Sequence, residues 1–147
     1  MNKLICIIAL LLSCSLSQAQ PPDTLRVNNN TFVIDAYAYY DNMPFIGSTQ
    51  KKGLTVIIWL IDATKTPIPG NIEITKSYAV YKDTVWMYEF SGNSFRLVNH
   101  RLERTARNGP NHWPNNAYIN VAAEVFNKQT NTRYIIGKPC VQIENVY

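Results

Sequence analysis

Leu54-Thr55-Val56-Ile57-Ile58-Trp59-Leu60-Ile61 is the longest apolar run downstream of residue 19. Only Thr55 interrupts it, and β-branched residues predominate, so it predicts a strand covered on both faces. Such a strand needs paired neighbours and a second layer above it. The flanking segments are of the right kind to supply both.

Working outward, residues 31–40 predict a strand with Phe32, Ile34, Ala36 and Ala38 on one face. Val33, Asp35, Tyr37 and Tyr39 occupy the other. Asp41-Asn42-Met43-Pro44 ends it, and residues 47–53 read as a polar loop. Beyond the central run, Pro67, Pro69 and Gly70 forbid a continuous strand. β character resumes through Ile72, Ile74, Tyr78 and Val80. Lys82-Asp83 predicts a tight turn into residues 84–90, where Trp86, Tyr88 and Phe90 alternate with Val85, Met87 and Glu89. Residues 91–93 form another turn. Residues 95–107 read as a strand followed by an irregular connection, with a short helix over 99–104 as the other option. Residues 108–116 hold Gly109, Pro110, Pro114 and several asparagines, hence a loop. The second clear strand is 117–126, with Ile119, Val121, Ala123 and Val125 pointing one way. A hairpin turn at 127–131 leads into 132–136; Pro139 ends that strand or marks an edge, and 141–147 is the last strand. Sustained helical periodicity is absent. The fold class is all-β, a single antiparallel sandwich of about seven strands.

The N-terminus carries a different signal. Lys3 precedes an unbroken apolar run from Leu4 to Leu12, and Ser17-Gln18-Ala19 places small residues where signal peptidase cuts. Residues 1–19 therefore read as a secretory signal peptide, with the mature chain starting at Gln20. A run this short does not span a hydrocarbon core of about 30 Å, and no later stretch reads as a transmembrane segment. A competing route is open, because Leu11-Leu12-Ser13-Cys14 matches a bacterial lipobox. Processing there would give a lipid anchor through Cys14. The destination is periplasmic or secreted in the first case and the envelope surface in the second. Residues 20–30, with Pro21-Pro22 and Asn28-Asn29-Asn30, read as a flexible arm, and residues 31–147 as the domain.

With 147 residues the chain is long enough for one domain with a real core. Its formal charge of +4 includes Lys3, and without it is too mild for a nucleic-acid footprint. Charged residues are 16% of the chain, below the average of about 25%. Removal of 1–19 takes Cys6 and Cys14, leaving Cys140 alone, so no internal disulfide is expected. Cys140 is expected as a small buried hydrophobe, or, as the sharper reading, the site of an intermolecular bridge.

Pro114-Asn115-Asn116-Ala117-Tyr118-Ile119-Asn120-Val121-Ala122-Ala123-Glu124-Val125-Phe126-Asn127 resembles the penultimate strand of Ig-like and fibronectin-type domains. Asp83-Thr84-Val85-Trp86 resembles the mid-domain hairpin of such domains in secreted bacterial, Bacteroidetes-type proteins. The resemblance covers most of residues 31–147 and implies an Ig-like sandwich. It implies that Tyr118 anchors a corner by bonding upstream backbone. Asn115-Asn116 replace a common glycine, and the paired cysteines of antibody domains are missing. Asp23-Thr24-Leu25 and Asp83-Thr84-Val85 also resemble an O-glycosylation acceptor pattern of exported Bacteroidetes proteins. Fold follows from such likeness; function does not.

Two groups of residues are candidate ligand sites. Arg96, Arg101, Arg104 and Arg107, with His100, form a basic cluster able to pair with carboxylate or phosphate. Its plainer reading is a solvated connection. Trp113, between His112 and Pro114, is placed to stack on a sugar ring or a partner; its plainer reading is a plug at one end of the sandwich. His100, His112 and Cys140 lack metal-ligand spacing, no cofactor motif occurs, and the acids are scattered among strands. The expectation is an exported, non-enzymatic binding or structural module for a protein or glycan of the cell envelope, not for nucleic acid. Two alternatives stand beside it: a small inhibitor or accessory factor for an exported enzyme, and a glycan-binding module using Trp113. Contact is expected through the 108–116 loop or an exposed strand edge.

Overall fold

The computed structural model describes residues 20–43, 52–92 and 95–147. The expected signal peptide, Cys14, most of the 47–53 loop and Asn93 of the expected 91–93 turn lie outside these. The described residues contain strands and turns and no helix. In chain order the strands are β1 (Thr24–Val27), β2 (Asn30–Asp41), β3 (Thr55–Asp62), β4 (Ile72–Tyr81), β5 (Thr84–Glu89), β6 (Arg96–Val98), β7 (Arg101–Ala106), β8 (Tyr118–Asn127) and β9 (Thr132–Val146). They form one nine-stranded sheet in the order β5-β4-β8-β9-β2-β3-β7-β6, with β1 beside β2. No helix among the described residues is long and apolar enough to cross a membrane.

Period-2 alternation decides which side chains are covered. β2 turns Phe32, Ile34, Ala38 and Tyr40 inward, and β3 does the same with Val56, Ile58 and Leu60. From the other half, Ile72 and Ile74 of β4 and Val121, Ala123 and Val125 of β8 meet them in one apolar cluster. A register shift between Ile74 and Lys76 keeps Ser77 and Ala79 on the inner side afterwards. The central run is covered on one face only. Ile57, Trp59 and Ile61 are half-buried on the outside, where side chains of the neighbouring strands flank them without a second layer.

The sheet curls because β9 belongs to both halves. It pairs antiparallel with β8, and its last residues run parallel to β2, from Ala38 opposite Ile143 to Asp41 opposite Val146. The antiparallel-only expectation is corrected by this pairing. Between the two stretches Cys140 adopts φ 56°, and its N–H donates to Asn120 Oδ1 at 3.2 Å. Pro139, which has no N–H for a ladder, therefore marks a bend within β9 and not its end.

Two further expectations change. Residues 24–27 of the expected arm are a strand, since Leu25 and Val27 alternate with polar neighbours and reach the core. The irregular connection after residue 98 is a tight hairpin into β7. Asn99 and His100 both take positive φ, 50° and 64°, the requirement of a type I′ turn. Leu102 and Ala106 of β7 then join the core.

Candidate functional site

The 108–116 loop is tied to the body of the fold. Gly109 N–H donates to the Leu54 carbonyl at 2.9 Å, and Leu54 N–H returns a bond to Pro110 at 3.3 Å. The Tyr40 hydroxyl, fully buried, is directed at the carbonyls of Pro110 and Trp113, 3.0 and 3.1 Å away. Burial raises the Tyr40 pKa, keeping the phenol a donor. Trp113 is 3% exposed and packs against the Tyr81 ring with centroids 5.7 Å apart. The tryptophan is thus part of the core, where no ligand can stack on it. Its neighbour His112 stays exposed. Tyr118, the expected corner anchor, is 63% exposed; the tyrosine that bonds loop backbone is instead Tyr40 of β2, and its acceptors Pro110 and Trp113 lie downstream of it.

The arginines do not form one patch. Alternation along β7 sends Arg104 inward, while Arg101 and, past the strand end, Arg107 point away from the core. Arg101 and Arg107 are six positions apart, roughly 20 Å at about 3.3 Å per residue. Arg104 is 4% exposed, and its guanidinium lies 5.2 Å from the centre of the Phe90 ring. Nη2 donates to Gly92 O at 3.3 Å, whereas Nε and Nη1 have no acceptor among the described residues. Desolvation lowers its pKa, partly offset by the charge of Glu73. Arg96 and Arg107, with Glu103 and Thr105, face Tyr88, Phe90 and Ser91 across a polar cleft of about 300 Å³.

Other buried polar groups are structural. Asp62 accepts from Thr64 N–H at 2.8 Å, from the Thr64 hydroxyl and from Asn30 Nδ2 at 2.9 Å. The Thr64 hydroxyl bond contributes most to holding its carboxyl below the ordinary aspartate range. Burial pushes the Glu124 carboxyl up, and bonds from Thr75 and Arg133 outweigh it, so the net shift is downward. Among the described residues no cluster of His, Cys, Asp and Glu is arranged to hold a metal ion. Cys140 is free and exposed at the β9 bend, correcting the expectation of a buried thiol.

The surface feature the sequence did not single out lies around β5. That strand ends the sheet, and nothing among the described residues pairs with its outer side. Tyr81 and Thr84 flank the turn as the closing pair, and Phe90 N–H donates to Thr75 O at 3.0 Å. Both place the even-numbered residues of β5 in the hydrogen-bonded pairs with β4. The backbone groups of Val85, Met87 and Glu89 therefore point outward. Val85 and Met87 side chains are 60% and 52% exposed. Val85 continues into a groove of about 470 Å³ on the outer sheet face, walled by Tyr78, Val80, Ala122, Ile135 and Pro21. The alternation at 84–90 was legible; which face lay outward was not. Compared with known protein families, curated proteins and solved structures, the chain matches none.

Proposed function

We propose that this protein is an exported, non-enzymatic Ig-like module that captures an extended segment of a cell-envelope protein along β5. The strand order supports the Ig-like reading. β2-β3-β7-β6 corresponds to the A-B-E-D sheet of that architecture, and β5-β4-β8-β9 to its C′-C-F-G sheet. Bridging by the parallel β2–β9 pair supports a sandwich closed along one side.

The observation that carries the functional reading is the unguarded edge. Natural sheets protect such edges with proline, bulges, inward charges or a covering loop. β5 has none of the first three, its one charge is Glu89 at the far end, and the rest of its outward backbone row is flanked by exposed Val85 and Met87. An added strand satisfies that row, and its apolar side chains find the adjoining groove; this is β-augmentation.

The test uses Met87→Pro. The Met87 N–H is not spent on β4, so proline there is tolerated by the fold and removes a donor an incoming strand needs. The protein is exposed to host envelope extract, and amide exchange is followed in the recovered complex. Protection of Val85 and Met87 amides, lost with its partner in Met87→Pro at unchanged melting temperature, is the expected result. A complex in which β5 exchanges as fast as in the free protein would sink the proposal.

A further inference from the structure

We infer that the segment captured along β5 carries a lysine or arginine to meet Glu89 and apolar side chains to meet Val85 and Met87. The inference rests on the reading of β5 as a capture edge and names the chemistry of the strand that edge takes. Its basis is the order of side chains across the outer face of the sheet. Residues opposite one another on neighbouring strands share a face, with roughly 5 Å between their Cβ atoms. Three such rows lead up to β5, and each stops at that edge.

The row farthest from the Lys82-Asp83 turn is charged. Glu89 pairs with Lys76 of β4, and Lys76 pairs with Glu124 of β8, so the sign alternates from strand to strand. Opposite charges directly across a ladder stabilise it, and like charges weaken it. The next place in this row, on an added strand, therefore favours a cation and disfavours an acid. Lys76 does not serve Glu89 alone, because its charge also acts on Glu124. Glu89 is exposed and takes part in none of the ion pairs among the described residues.

The other two rows are uncharged. Met87 stands beside Tyr78 and then Ala122, and Val85 beside Val80. Tyr78, Val80, Val85 and Ala122 also line the groove of about 470 Å³, so apolar side chains on the added strand gain by burial there. Lys82 and Asp83, beyond Val85, carry opposite charges and set no preference at that end. Every pairing in the run β5-β4-β8-β9 is antiparallel. Continued in that sense, the added strand reads cation, any residue, apolar, any residue, apolar from its N-terminal side.

The test is an NMR titration of the ¹⁵N-labelled protein at low salt with three peptides blocked at both termini: TKTVTVT, its acidic counterpart TETVTVT and the reversed TVTVTKT. TKTVTVT is expected to shift the amides of Val85, Met87 and Glu89 and to bind about fivefold tighter than TETVTVT. Added salt should narrow that difference. Glu89→Gln should abolish it, whereas Asp83→Asn, outside the row, keeps it. Equal binding of the lysine and glutamate peptides along β5, a preference that survives Glu89→Gln or is lost in Asp83→Asn, or tighter binding of TVTVTKT overturns the inference and leaves strand capture standing. No shift of β5 amides with any of the peptides overturns strand capture and the inference with it.

Discussion

The hydroxyl of Tyr40, near the end of β2, points at the backbone carbonyl of Trp113, 3.1 Å away and more than seventy positions downstream. It fastens a loop rich in proline and asparagine to the core and delivers the indole into it. Tyr40→Phe keeps the ring and leaves the Pro110 and Trp113 carbonyls without this donor. The expected loss is about 1–2 kcal/mol. Urea denaturation should show a lower midpoint at unchanged slope, with faster amide exchange in residues 109–116.

Gly53 sits where the same loop comes closest. A Cβ there would overlap the Gly109 carbonyl and the Asn108 backbone, neither of which can swing aside as a side chain would. Gly53→Ala is therefore expected to cost on the order of 1–3 kcal/mol, read as a fall in melting temperature. Gly70→Ala, with open space around its position, is the control and should leave melting nearly unchanged.

Arg104→Met removes a desolvated charge and keeps a flexible chain of similar length against Phe90. In anion-free buffer the variant is expected to be at least as stable as the parent, gaining about 1 kcal/mol. A clear loss in chemical denaturation would mean that the contacts with Gly92 and Phe90 outweigh the buried charge.

The Asp62 carboxyl supplies a pH dependence. Its folded pKa lies below the unfolded value of about 3.9. Its stabilisation is therefore complete above that value and disappears as pH falls through the folded pKa. Melting temperatures of the parent should drop in that acid window, and Asp62→Asn should melt lower at neutral pH with a flatter acid limb. Parallel curves for the two proteins would assign the acid sensitivity elsewhere.

Much of the architecture was legible wherever side chains alternated cleanly. β3, β8 and the β4–β5 hairpin fall where Val56-Ile57-Ile58, Val121-Ala122-Ala123 and Lys82-Asp83 place them. β7 was hidden because its inward positions read Leu102, Arg104, Ala106, and an arginine at a core position breaks the pattern. β1 was hidden by the prolines and asparagines around a run of only four residues. The candidate site was less legible still. Closeness in sequence put Arg101, Arg104 and Arg107 in one basic cluster, but Arg104 turns inward while Arg101 and Arg107 point away from the core. Val85 and Met87 acquire meaning only from where β5 stands in the sheet, a long-range fact no local window contains.

β9 is paired along one side with the strand that precedes it and along the other with β2, from the opposite end of the domain. Until Ile143 lies beside Ala38, the two halves have no shared ladder and the core between them has no seam. Contacts of such wide separation slow folding, because the intervening chain must be ordered before they form. A chain threaded N-terminus first through a pore would thus hold its two halves ajar until its last strand emerged. During that interval the Ala38–Asp41 end of β2, beyond the stretch that β1 covers, would be an open edge, and the finished fold removes it.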